Sequence, residues 1–168
     1  MEKVQLIETK RLTLRVLAAQ DADWITREIA NPRVQCWLTN PPRPYMLADA
    51  QSYLAQNQGQ PQIRAILVDD TPVGVVGLTG DDPDLGYWLA EHAWGQGYMT
   101  EAAAALLGWH FARANTPVQS GWIQGNDASR NVLTKLGFQP NGTELQYSQF
   151  HGADVAVDRV RLDEVRHV

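Results

Sequence analysis

The stretch from Leu85 to Ile123 constrains the fold more than any other part of the chain. Leu85–Ala90 (LGYWLA) reads as a strand, and Thr100–Ala114 as a helix. Val118–Ile123 (VQSGWI) returns as a strand, so the three make a strand–helix–strand crossover. Between the first strand and the helix stand two glycines, Gly95 and Gly97, one residue apart. Inside a helix each would cost about 1 kcal/mol; outside it they cost little and free the loop for a ligand. A helix start also leaves four N–H groups without partners and carries about half a positive charge, a setting that suits phosphate.

The flanking segments extend this into a mixed α+β sheet. Arg11–Leu17 alternates Leu12, Leu14 and Val16 with polar residues, as a half-buried strand does. A helix is expected near Asp21–Ala30, stopped by Asn31-Pro32, and a second over Leu47–Gln56 after the irregular loop Asn40–Pro44. Ile63–Val68 and Val73–Leu78 read as a hairpin around Asp69-Asp70-Thr71-Pro72, and Gly80–Pro83 as a turn. Asn126–Leu136 reads as a helix closed by Gly137, followed by strands near Glu144–Phe150 and Val155–Leu162. With 168 residues, no internal repeat and no long linker, a single domain over residues 1–168 is expected.

Two nucleotide-binding motifs do not fit the glycine pair. A P-loop needs lysine and Ser/Thr after its last glycine, and Gly97 is followed by Tyr98-Met99. A dinucleotide fingerprint needs a third glycine where Thr100 stands, and an acidic residue where Gln124 follows the next strand. A net charge of -5 argues against nonspecific nucleic-acid binding. Cys36 is the only cysteine, which suits a reducing compartment, and the charged opening MEKVQLIETKR has no apolar signal core. A soluble, cytoplasmic protein is expected. His92, His110, His151 and His167 lack the spacing of metal ligands, so no metal is expected.

Gly86-Tyr87-Trp88-Leu89 followed by Trp94-Gly95-Gln96-Gly97-Tyr98-Met99-Thr100-Glu101-Ala102 resembles the acetyl-CoA-binding segment of GNAT-type N-acetyltransferases. Within that family it looks most like the RimJ/RimL-like branch, related to the enzymes that acetylate ribosomal-protein N-termini. Asn126-Asp127-Ala128-Ser129-Arg130 with Lys135-Leu136-Gly137-Phe138 is similar to its second motif. Arg11–Arg15, Asp21-Ala22 and Asn31–Val34 resemble its N-terminal part, so the likeness runs from Arg11 to about Glu164. It implies a twisted, mostly antiparallel sheet with a splayed strand pair, and acetyl-CoA as co-substrate. Trp88, Leu89, Trp94, Gly95, Gln96, Gly97, Tyr98, Met99, Thr100, Asn126, Ser129 and Arg130 would line its site, the amides of Gly95–Thr100 holding the diphosphate. Two positions depart from the general pattern. Trp94 stands in place of Arg or Gln, and Met99, in place of Gly or Ala, could crowd the phosphates.

Acetyl transfer to an amine needs a neutral nitrogen and a proton for the departing sulfur. An α-amine of pKa about 8 costs about 1.4 kcal/mol to deprotonate at pH 7, and a lysine near 10.4 more than about 4, so a strong base is dispensable for N-terminal acceptors. Ser129 is the candidate donor to sulfur, with helix capping as its other role; Asn126 could equally be only an N-cap. Asp84 and Glu91 are candidate bases, although Asp81, Asp82 and Asp84 also read as a solvated turn. Glu101 suits the helix dipole. Tyr45 and Tyr87 are candidate acceptor-site residues. The acceptor is expected to be a protein N-terminus or small-molecule amine, without membrane or nucleic-acid partners. A homodimer through Trp37 or the terminal strands is left open, as is a noncatalytic acyl-CoA-binding domain.

Overall fold

The computed structural model describes residues 4–165, which leaves His167 outside the described residues. Eight strands form one sheet: β1 (Ile7–Glu8), β2 (Thr13–Val16), β3 (Ile63–Val68), β4 (Thr71–Thr79), β5 (Asp84–Leu89), β6 (Val118–Ile123), β7 (Gln139–Ser148) and β8 (Ala153–Leu162). Their order across the sheet is β1-β2-β3-β4-β5-β6-β8-β7. Every neighbouring pair is antiparallel except β5 and β6, the pair that the crossover joins.

Strand alternation sorts side chains to two faces. Ile63, Ala65 and Leu67 of β3 meet helices α1 (Ala22–Ala30) and α3 (Leu47–Asn57) in one core cluster. Ile66, with Val76 and Leu78 of β4, meets α4 (Tyr98–Phe111) and α5 (Asp127–Lys135) in the other. Helix α4 buries Met99, Ala102, Ala103, Leu106 and Leu107, small residues near its start and leucines deeper in.

Several boundaries differ from the sequence expectation, each for a local reason. The β3–β4 turn is only Asp69-Asp70, both left-handed at φ 47° and 63°, as a two-residue hairpin of right-handed strands requires. Thr71 and Pro72 therefore belong to β4. Asn31-Pro32 does stop α1 but also opens the short helix α2 (Pro32–Gln35), because the Asn31 side chain accepts from the Arg33 N–H and proline suits a first helical position. Strand β7 starts five residues before the expected Glu144; its Pro140 and Gly142 sit at a register shift between Pro140 and Thr143. Gly137, at φ 93°, adopts the expected left-handed conformation. No described helix is long and apolar enough to cross a membrane.

Candidate functional site

Helix α4 begins at Tyr98, two residues earlier than expected, directly after Gly97. Both glycines thus lie outside the helix and are left-handed, Gly95 at φ 73° and Gly97 at φ 78°, a conformation that side-chain-bearing residues avoid. At Gly95 a Cβ would meet nothing within 4 Å, so the loop faces open space. Among the described residues, none of the backbone N–H groups of Gly95–Thr100 donates to a protein acceptor; the first to close is Glu101 N–H, on the Gly97 carbonyl at 3.2 Å. A run of uncommitted donors at a helix start is the kind of setting that suits an anion. Met99 does not crowd it: its side chain is 5% exposed and packs into the core, leaving only its amide at the loop. Trp94 is exposed, and its indole N–H donates to the Leu89 carbonyl at 2.9 Å, tying the loop to the end of β5.

The loop opens onto a split in the sheet. Strands β5 and β6 share a single register pair, Asp84 with Gln119. That end is closed by Gln119 N–H on the Pro83 carbonyl at 2.9 Å and by the Ser120 hydroxyl on the Leu85 carbonyl at 2.8 Å. Ala90 N–H donates to Val73 of β4, so alternation turns the N–H groups of Tyr87 and Leu89 away from β4 and into the split. On the far bank, Asn126 caps α5, its side-chain oxygen accepting from the Ser129 N–H at 3.2 Å. The Ser129 hydroxyl is consequently free of capping duty and sits 2.8 Å from the Tyr87 hydroxyl. Burial pushes the Tyr87 phenol up to about 12, with the Ser129 contact opposing that shift. Arg130 is exposed on the first turn of α5.

The two expected bases are both engaged. Asp84 stands at the closed end of the split and is ion-paired with Arg159, which also lies 3.6 Å from Glu144. Arg159 reaches Asp84 by crossing Gly121, where a Cβ would come within 3.1 Å of the guanidinium. Glu91 pairs with Arg33 at 3.0 Å and accepts from the Asn31 amide at 3.2 Å. Each carboxylate thus has a cationic partner. Tyr45 is also placed differently from expectation: it is buried among Trp24, Ile25 and Leu54, and burial pushes its phenol up to about 12. Trp88 turns to the same cluster, tilted against Trp24 with ring centroids 5.7 Å apart. Gly86, beside it on β5, is exposed and has open space where a side chain would project.

Sequence reasoning assigned no role to Arg11. Its Nε donates to Glu101 at 2.8 Å, its Nη1 to the Gln96 carbonyl at 2.8 Å, and its guanidinium lies 4.8 Å from the Tyr98 ring centre. Glu101 also accepts from the Arg11 N–H at 3.0 Å and from the Thr9 hydroxyl. Burial pushes the Glu101 carboxyl up, but the Thr9 and Arg11 hydrogen bonds outweigh it and hold the group below its usual range. These partners are some 90 positions apart, so no local pattern announces them. Among the histidines, His110 is buried against Thr116 and Phe111, and His151 contacts the Cys36 carbonyl.

The family model for the acetyltransferase (GNAT) domain matches residues 11–139. The uncharacterized N-acetyltransferase p20 of Bacillus licheniformis is 26% identical over 161 residues, covering 89% of this chain and 90% of that protein. Among solved structures, a GNAT-family acetyltransferase from Bacillus anthracis superposes with a TM-score of 0.82 at 16% identity, over 94% of this chain and 98% of the other. RimL, the ribosomal L7/L12 alpha-N-protein acetyltransferase in complex with coenzyme A, does so with a TM-score of 0.81 at 19% identity, over 95% and 98%.

Proposed function

The chain belongs to the acetyltransferase (GNAT) family, and on that premise we propose that it moves the acetyl group of acetyl-CoA directly onto a primary amine, held at the β5–β6 split. Acetyl-CoA, when bound, supplies the activated acetyl thioester; everything else is the work of the chain's own groups. The uncommitted amides of Gly95–Thr100 hold the diphosphate at the start of α4, and Arg130 stands exposed across the split. The inward N–H groups of Tyr87 and Leu89 pair with the pantetheine amides, as an added strand would. The Asn126 amide nitrogen, left free by capping through the oxygen, reaches the same arm. Ser129 presents its hydroxyl hydrogen to the departing sulfur in the arrangement where Tyr87, neutral at working pH, gives its own hydrogen to the Ser129 Oγ at 2.8 Å rather than to the Ser129 carbonyl at 3.3 Å.

The two carboxylates considered as bases, Asp84 and Glu91, are already paired, so neither is assigned that task. That arrangement suits an acceptor that loses its proton cheaply, and an α-amine does so for about 1.4 kcal/mol at pH 7. A protein N-terminus or a small amine of similar pKa is therefore the acceptor class, reached from the open face beside Gly86. The likeness to RimL, which acts on a ribosomal-protein N-terminus, supports the same class. We place the protein in the cytoplasm, where its single cysteine stays reduced. The observation that carries the reading is the run of unpartnered amides opening onto an unzipped strand pair.

Incubation with radiolabelled acetyl-CoA and a panel of N-terminal peptides, polyamines and small amines tests it. Label is expected on α-amines ahead of lysine side chains. Tight binding of acetyl-CoA with no labelled product on any amine would instead identify a noncatalytic acyl-CoA-binding domain.

A further inference from the structure

We propose that Arg11 is a positioning residue for the diphosphate cradle, holding the Gln96–Gly97 peptide so that Gly97 N–H faces the ligand. The inference rests on the acyl-CoA reading above. A trans peptide points its C=O and N–H in opposite directions. With the Gln96 carbonyl anchored on Arg11 Nη1 at 2.8 Å, the Gly97 N–H must point away from Arg11, where no protein acceptor meets it. Because this peptide precedes a left-handed glycine, little intrinsic preference resists its rotation. Flipped, it would aim a carbonyl oxygen at the phosphates and remove a donor.

Only a planar fork satisfies every contact at once. Nε is spent on Glu101, Nη1 on Gln96, and the face lies over Tyr98, while Nη2 comes within 3.4 Å of where a Gly97 side chain would begin. A lysine ammonium keeps the charge but cannot span those points. Glu101 fixes the fork and is itself fixed by Thr9 and by the Arg11 amide. Since the cation is matched by the Glu101 carboxylate, its contribution is orientation rather than free charge.

Calorimetric titration of CoA into wild type, Arg11→Lys, Arg11→Met and Glu101→Gln separates these roles. Both Arg11 variants are expected to weaken CoA by about tenfold, the loss of one charge-assisted hydrogen bond. Glu101→Gln is expected to weaken it too, by several-fold. The loss is expected to fall on the KM for acetyl-CoA more than on kcat. Without any ligand, the Gly97 amide resonance is expected to shift in Arg11→Lys. Wild-type affinity in Arg11→Lys would overturn the proposal, because charge alone would then suffice. Tighter binding by Glu101→Gln would overturn it as well, since a freed cation would be helping. A wild-type chain that binds no CoA would bring down the acyl-CoA reading and this inference together. An unmoved Gly97 resonance would bring down this inference alone.

Discussion

Ser129 occupies the first turn of α5, a position where serine commonly satisfies a free helix N–H. Asn126 has taken that duty, so the Ser129 hydroxyl turns to Tyr87 at 2.8 Å. The pair makes sense as a donor chain because burial raises the phenol from 10.0 to about 12. The neutral form of Tyr87 is therefore the folded-state species at every working pH. The stability it lends is complete below pH 10 and fades only as pH climbs toward 12. On the role proposed for Ser129, its replacement with alanine removes a hydrogen bond to a developing charge, worth about 1.5–3 kcal/mol, so kcat should fall about ten- to a hundredfold. The Kd for CoA should change by less than about twofold, because the diphosphate grip lies elsewhere. Tyr87→Phe removes only a neutral bond and should cost about three- to tenfold in kcat. Steady-state kinetics beside calorimetry measures both; an equal loss of affinity and turnover in Ser129→Ala would remove its role at sulfur.

At the scale of elements, what the sequence makes legible is whatever its own neighbours decide. The strand–glycine–helix–strand run is local, and so Val118–Ile123 is placed to the residue, β5 within one residue at each end, and α4 within two residues at its start and three at its end. Pro140-Asn141-Gly142 lies ahead of the strand expected from Glu144, yet pairing with β8 draws the segment into β7 around a register shift, because a long neighbour outweighs local preference. The loop's amides are foreseeable from two glycines; the Arg11 tether is not, because its partners meet only after folding. The same holds for the partners of Asp21, which sequence reading places at the start of α1 and within the family likeness but pairs with nothing. Asp21 is 1% exposed and accepts two bonds from Arg15, at 2.7 and 2.8 Å, one from the Trp24 indole and one from the Ala18 N–H. Burial pushes this carboxyl up, but the bonds from Arg15, Trp24 and Ala18 prevail and hold it below its ordinary 3.8. A lowered folded value means that this stability is complete above the unfolded value and is lost as pH falls through the lower folded one. Asp21→Asn should cost about 2–3 kcal/mol, less than a fully buried pair because Arg15 is 26% exposed. It should also flatten the acid limb of the stability curve below pH 4, which urea melts at several pH values would read. An unchanged acid limb would assign that limb to other carboxylates.

Across the whole molecule, the sheet is two slabs, β1 to β5 and β6 to β7, joined side by side at one end. Helix α4 makes the junction possible: its crossover sets β5 and β6 parallel, and its buried stripe packs on residues from both slabs. Zipping the pair fully would satisfy the Tyr87 and Leu89 N–H groups, and backbone donors in a sheet are almost always satisfied. The tether of Asp84 to Arg159 and the Ser120 bond hold the strands together only at their starts. Beyond that point the core on either side stays complete without the missing ladder, so the open edge is stable while water can reach it. Amide exchange should therefore be uneven within a single central strand. Tyr87 and Leu89 should exchange at least about a hundredfold faster than Trp88, whose N–H faces β4 across its Val75 pair. Adding CoA should slow the first two and leave Trp88 unchanged, since only their donors face the split. Equal protection of all three without ligand would mean that β5 and β6 close in solution, and the route proposed for the pantetheine arm would then be shut.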